Sequence, residues 1–277
     1  MTNADAPAIS QHYGRSDLGE AILAAVQASG KDPHRLTTAD LAPATELHTG
    51  GQDATRALAR LAGLRPGMRV LDAGGGLGGP ARTLASEFGC DVTVLDLTEA
   101  FCRVGAMLTE RTGLGNRVSF LCGDALAMPL PDHAFDVVWT QHSSMNIAGK
   151  EQLITEIHRV LRPGGVYAMH EIVAGPAQPI HFPVPWARTP AISFLLPAGA
   201  VRALVRKAGF DEMAWIDLSA PSLEFFWRRL TATPSDSAPP LGLHLLVGSE
   251  LDAMLQNMKR NLEENRIAVI QGVFRRR

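Results

Sequence analysis

Hydrophobic and polar positions change period along this chain, and the changes mark its elements. Leu18, Ile22, Leu23 and Val26 recur at helical spacing between Ser16, which reads as an N-cap, and Gly30. Residues 31–51 carry no period and contain Pro33, Pro43, His48, Gly50 and Gly51, the composition of a long loop. Gln52–Leu61 returns to helix. From Met68 short apolar runs alternate with amphipathic stretches. Strands are expected at 69–72, 91–96, 117–122, 135–140 and 166–171, with helices at 80–88, 98–111 and 150–161. Pro80 suits a first helical turn and Gly113 lies just past a helix end. Strands alternating with helices predict a parallel sheet covered on both faces.

After Glu171 the rhythm breaks. Residues 173–197 hold Pro176, Pro179, Pro183, Pro185, Pro190 and Pro197, so neither a regular helix nor a central strand fits. With His181, Phe182, Trp186 and Phe194 among them, the stretch is too apolar for a linker and reads as an ordered lid over one end of the sheet. Helices at 199–208, 223–230 and 249–261 and strands at 212–218 and 267–274 follow, with an exposed loop at 231–240. The expected organisation is an N-terminal helical cap over 1–63 and a main domain over 64–277. The main domain carries the lid at 173–198 and a helical insertion at about 221–264.

Composition narrows the partners. The chain has 277 residues, 46% of them hydrophobic, and a net charge of −2, which gives no general attraction for nucleic acid or acidic membranes. Three cysteines without C-x-x-C spacing read as reduced thiols, and hence a cytoplasmic protein. The N-terminus lacks the basic and apolar regions of a signal peptide, and no apolar run is long enough for a membrane span. Small-molecule chemistry by a monomer or homodimer is the expectation.

The chemistry concentrates at Val70–Arg82, an apolar strand that ends in Asp72 and five glycines within Gly74–Gly79. Glycines let a ligand lie against the main chain, and the following helix start offers free N–H groups. The run satisfies G-x-G-x-x-G, so a dinucleotide is an alternative. An acid directly before the glycines repels a pyrophosphate, however, and suits an ammonium group. Asp96 ends the second strand, where a carboxylate accepts a ribose diol, and Asp124 ends the third, where it accepts an adenine amine.

With Phe135-Asp136-Val137-Val138-Trp139 and Leu161-Arg162-Pro163-Gly164-Gly165, these residues resemble the class I S-adenosylmethionine-dependent methyltransferases over about 64–174. The likeness is to the small-molecule branch with sarcosine/dimethylglycine N-methyltransferases and quinone and tocopherol C-methyltransferases. It implies a Rossmann-like, seven-stranded, mostly parallel sheet and S-adenosylmethionine as cofactor, with no metal. It places Gly74, Gly76 and Gly78 under the methionine and ribose, and Asp72 near the amino group. Asp96 goes to the ribose, Leu97 to the adenine face, Asp124 and Ala125 to the adenine edge, and Gln141 beside the methionine. The loop Leu47–Gly51 closes on the same portion.

Transfer from a sulfonium needs alignment and exclusion of water, and a base only where the acceptor is protonated. Many relatives carry a histidine late in the segment matching Gln141–Ile147. Here Asn146 takes that place and His142 comes earlier. His142 is the first candidate for base or acceptor-orienting group, His48 the second, and His170 and Glu171 face the same edge. Tyr13, Met145, Asn146, Glu171, His181 and Trp186 are the expected acceptor contacts. The acceptor is either a small amine, methylated on nitrogen, or a phenol- or quinol-like metabolite, methylated on carbon or oxygen. Oxidoreduction with NAD, or an isomerase or cyclase that keeps the cofactor site, are the alternatives.

Overall fold

In the computed structural model, residues 6–13, 17–231 and 240–277 are described; Ser16 and most of the loop expected at 231–240 lie outside them. Strands β1 (Arg69–Ala73), β2 (Asp91–Asp96), β3 (Val118–Cys122), β4 (Phe135–Gln141), β5 (Leu161–Ala174), β6 (Phe210–Asp217) and β7 (Ile267–Arg276) form one sheet. Their order is β3-β2-β1-β4-β5-β7-β6. β7 runs antiparallel to both neighbours and the rest pair parallel. The chain therefore forms a Rossmann-like sheet with helices on both faces. The order reverses between β1 and β4, and in such sheets ligands bind outside the carboxyl ends of the strands at that point.

Alternation along the central strands explains the two main cores. Leu71, Val138, Tyr167 and Met169 pack on one face, and Val70, Val137, Trp139 and Ala168 on the other. Helices α5 (Gly79–Phe88), α6 (Glu99–Arg111), α7 (Lys150–Val160) and α8 (Ala198–Lys207) cover those faces. Gly89, at φ 67°, stops α5.

The expected strand at 166–171 is longer. Leu161 pairs with Phe135 and Val166 with Val137, so the Arg162–Gly165 turn is a bulge inside β5 rather than a connection before it. The expected loop at 31–51 contains α3 (Thr38–Thr45) between α2 (Leu18–Ala28) and α4 (Gly51–Leu61). A capping box starts α3: Asp40 N–H donates to Thr37 Oγ1 and Thr37 N–H to Asp40 Oδ2. Pro43 inside the helix hid it from a reading of periodicity.

Residues 175–197 have no regular element apart from a 3-10 turn at Pro190–Ile192. Val184, Trp186 and Ala187 are nevertheless fully buried, against a core shared with α9 (Ser219–Thr231) and α11 (Leu251–Glu263). Those helices, with the short α10 (His244–Val247), stand between β6 and β7. The N-terminal helix α1 (Ala6–Tyr13) reaches this layer through Ile9 and Tyr13.

Two glycines separate close approach from open space. A Cβ on Gly79 would stand 2.3 Å from the Thr45 carbonyl oxygen, so the end of α3 sits directly on the first turn of α5. A Cβ on Gly199 in α8 would meet nothing within 4 Å. Gly79→Ala should lower stability by about 1–3 kcal/mol, and Gly199→Ala should raise it by about 0.5–1 kcal/mol. Urea unfolding of the two variants checks the opposite signs.

Candidate cofactor and acceptor site

A cavity of about 530 Å³ opens at the carboxyl ends of β1, β2, β3 and β4. Its inner end is polar and acidic. Gly74 and Gly76 adopt φ of 76° and 55°, conformations that favour glycine. A Cβ on Gly74 would overlap Ser143, and one on Gly75 would stand 2.5 Å from Asp72 Oδ2. The loop therefore lies directly on the Asp72 carboxylate and on the turn that leaves β4. Ser143 Oγ donates to the Ala73 carbonyl oxygen at 2.9 Å and locks that second contact.

Asp72 is 1% exposed, and its Oδ2 has no hydrogen-bond partner among the described residues. Burial, with Asp96 and Glu46 nearby, pushes its carboxyl up to about 8. Asp96 is held differently. Gly76 N–H donates to its Oδ2 at 2.9 Å and Thr98 N–H to its Oδ1 at 2.8 Å, and the Thr98 hydroxyl adds a further hydrogen bond, which together fix the plane of the carboxylate. Burial raises its carboxyl as well. Glu46, pushed up to about 7 by burial, faces the same region from the loop after α3. Among the described residues none of these three buried acids makes an ion pair with an arginine or lysine, although the charges of Arg82 and Arg56 reach Glu46, and together they form a receptor for positive charge. Arg82 lies below the loop, where it donates to the Leu77 carbonyl oxygen and to Thr109.

Leu97, Asp124, Ala125 and Gln141 also line the cavity. Asp124 folds as a turn, accepting from Leu126 N–H at 2.9 Å. Three expected contacts lie elsewhere. Gly78 faces away from the cavity: a Cβ there would stand 2.6 Å from the Phe120 ring, so it serves packing between α5, α6 and β3. Glu171 is buried behind the wall, where Ser144 N–H donates to it beside Lys150. His181 points to the outer side of α11, with its ring 2.9 Å from Glu264 and its N–H on Asn261.

Tyr13, Met145, Asn146 and Trp186 do line the cavity. Asn146 is the knot of this end. Its Nδ2 donates to the Trp186 and Ile192 carbonyl oxygens, both at 2.8 Å, and its Oδ1 accepts from Tyr13 O–H at 3.0 Å. One side chain thus joins α1, the β4 turn and the proline-rich segment. Phe225, Phe226, Leu246, Leu255 and Met258, with Arg229, complete a mainly apolar outer chamber.

Between the two ends stands a group of three histidines. Ring centroids are 4.8 Å apart for His142 and His170, 5.8 Å for His48 and His170, and 6.1 Å for His48 and His142. Burial pulls His48 down to about 4 and lowers His142 and His170 well below the usual histidine range, so all three are neutral near pH 7. His48 Nε2 donates to the Gly51 carbonyl oxygen at 3.0 Å. His142 has φ 49°, a strained value for a non-glycine residue, held by its N–H on the His170 carbonyl oxygen at 2.8 Å. The sequence placed Thr49 in the closing loop and Gly75 in the glycine run, but gave neither a role of its own. A threonine between two imidazoles and a glycine over an acid are contacts across the fold, with no local pattern.

Residues 71–169 match the family described as a methyltransferase domain. A sterol 24-C-methyltransferase of Gibberella zeae is 39% identical over 114 residues, which is 41% of this chain and 30% of that protein. A 24-methylenesterol C-methyltransferase of Oryza sativa is 29% identical over 60% of this chain and 47% of its own length. The chain spans about a third of the length of the fungal sterol methyltransferases it matches. Among solved structures, a Haemonchus contortus phosphoethanolamine N-methyltransferase covers 97% of this chain and 60% of its own, with TM-score 0.73 and 18% identity. The cyclase SpnF covers 81% of both chains with TM-score 0.64 and 25% identity. A geranyl diphosphate methyltransferase in complex with S-adenosylmethionine covers 82% of this chain and 85% of its own, at TM-score 0.65 and 17% identity. The chain has the class I methyltransferase fold, and its central segment matches a methyltransferase domain. The inner end of the cavity fits S-adenosylmethionine: the unpartnered Asp72 oxygen and the glycine cradle suit a cationic amino acid, and Asp96 suits a ribose.

Three outcomes follow from this geometry. Asp72 titrates above its ordinary value of 3.8, so its burial costs stability progressively as pH rises from there to about 8. Asp72→Asn should stabilise the cofactor-free protein by about 1–3 kcal/mol at pH 8 and leave it unchanged near pH 4. The same variant should weaken S-adenosylhomocysteine binding by about ten- to a hundredfold, measured by calorimetry. Asn146→Ala should speed proteolytic cleavage within 175–197 while cofactor affinity stays near that of the wild type, since three hydrogen bonds to the segment and α1 are lost.

Proposed function

We propose that the protein transfers a methyl group from S-adenosylmethionine to a small, largely apolar acceptor. The observation that carries the reading is the change of character along one cavity: an unpartnered acid under a glycine loop at one end and an apolar chamber at the other. When bound, the cofactor supplies an electrophilic methyl on a positively charged sulfur. Asp72 balances the charge of the donor, Asp96 orients its ribose, and Asp124 and Ala125 offer an acceptor and a donor to its adenine. Gln141 stands where the two ends meet. The apolar wall of Met145, Trp186, Phe226 and Met258 holds the acceptor and excludes water.

The chamber narrows the acceptor left open by the sequence. A small amine arrives as a cation and needs an acid or an open aromatic cage at its own end. The acids of this cavity stand at the donor end, so carbon or oxygen methylation of an apolar molecule is favoured. The sterol methyltransferase names of the partial relatives agree with an apolar carbon acceptor. The free thiols Cys90, Cys102 and Cys122 support a cytoplasmic setting. A second reading is a cyclase that keeps the cofactor as a structural element, favoured by the likeness to SpnF.

Purified protein should bind S-adenosylhomocysteine and not NAD. It should transfer labelled methyl to members of a panel of terpenoids, sterols, phenols and ketones, and not to sarcosine or ethanolamine. Turnover of the amines alone would overturn the acceptor class. Tight cofactor binding without any methylated product would favour the cyclase reading.

A further inference from the structure

Resting on the methyl-transfer reading, we infer that His142 determines acceptor specificity by presenting an Nδ1–H donor to the cavity, and so selects an apolar acceptor that carries a carbonyl or hydroxyl oxygen.

Trp139 is fully buried behind the cavity wall. Its indole nitrogen only donates. It lies 3.0 Å from Gln141 Oε1, which Thr55 O–H also approaches at 3.2 Å. Trp139 thereby fixes which way the Gln141 amide points. Its oxygen faces the indole, so its NH2 group faces His170 Nδ1, 3.3 Å away. An amide NH2 donates, so His170 Nδ1 must accept. His170 is neutral and its single ring proton is therefore on Nε2. That nitrogen lies 3.4 Å from Thr49 Oγ1, which accepts from it. The Thr49 hydroxyl has one proton, and the ring nitrogen 3.4 Å away on its other side is His142 Nε2. Thr49 donates there, so His142 Nε2 accepts and the His142 proton is on Nδ1.

Each step excludes its reverse. Turning the amide would set an NH2 group against the indole N–H. Moving the His170 proton would set two donors against each other at Gln141, and moving the His142 proton would leave the buried Thr49 hydroxyl proton without an acceptor among the described residues. The relay is a chain of buried side chains that ends on a ring lining the cavity. Among the described residues, His142 Nδ1 has no hydrogen-bond partner; its neighbour His48 uses Nε2 on the Gly51 carbonyl oxygen. An unpaired donor beside the apolar wall of Met145, Trp186, Phe226 and Met258 favours an acceptor with an oxygen at that point and discriminates against the hydrocarbon analogue, whose binding would leave the N–H unpaired. The lone pair of His142 is meanwhile occupied by Thr49, so the ring orients the acceptor rather than taking its proton.

Long-range proton–nitrogen correlation spectra of 15N-labelled protein, loaded with S-adenosylhomocysteine at neutral pH, read the tautomers directly. His142→Gln and His170→Gln assign the signals. The expected spectrum has His142 protonated on Nδ1 and His170 on Nε2. Thr49→Val should release His142 into an averaged pattern, and Thr49→Ser should restore it. His142 protonated on Nε2 in the wild type, or a His142 pattern indifferent to Thr49→Val, overturns the inference. With an oxygen-bearing acceptor from the panel, His142→Ala should raise KM about tenfold with a smaller change in kcat, and His142→Gln should recover part of the loss. A collapse of kcat at constant KM would instead mark His142 as a base. The spectra need no acceptor, so absence of methyl transfer would sink the proposed function and leave the tautomer assignment to be judged on its own.

Discussion

A carboxylate buried without a partner is the constraint on which this structure turns. Asp72 lies near the end of the central strand β1 at the switch point of the sheet, and the glycine loop closes directly over it. Any side chain at position 75 would collide with that carboxylate, and any at 74 with the β4 turn. Glu46 and Asp96 add acid rather than relief. Burying an unpaired charge costs several kcal/mol, so the group takes up a proton in the empty protein and gives it up only to a cation. The fold is thus less stable than its packing allows at the point where it binds, as ligand sites commonly are.

The acceptor end follows another logic. Its wall is assembled from four separate pieces of chain: α1, the β4 turn, the proline-rich segment and the helices inserted between β6 and β7. Asn146 binds the first three together through polar contacts that leave the chamber itself apolar. The three histidines stand where the ends meet, neutral because they are buried and crowd one another. A neutral imidazole is a directional group, with one donor and one acceptor, and its neighbours decide which is which.

The sheet was largely legible from sequence because its strands alternate or run apolar and its helices end at glycines such as Gly89 and Gly113. The donor end was legible for a related reason. Asp72, Asp96 and Asp124 lie at or just past the ends of successive strands, so their order along the chain is their order along the cavity edge. What escaped depends on contacts across the fold. Pro43 masked α3, whose capping box lies at its start. Glu171 ends the same run as His170, yet alternation along β5 sends the two to opposite sides, one to Ser144 and the other to Gln141. His181 sits among the aromatics of the proline-rich segment, yet Asn261 and Glu264 draw it outward. Gly78 shares a motif with Gly74 and Gly76, yet its neighbour is the Phe120 ring.

The protonation of Asp72 tests the account most directly. Carbon-13 spectra of the protein labelled at aspartate carboxyl groups, assigned with Asp72→Asn and recorded at neutral pH, report it with and without S-adenosylhomocysteine. Asp72 should be protonated in the free protein and should ionise when the cofactor's ammonium group arrives. An Asp72 already ionised in the free protein, or one whose signal ignores the cofactor, would contradict it.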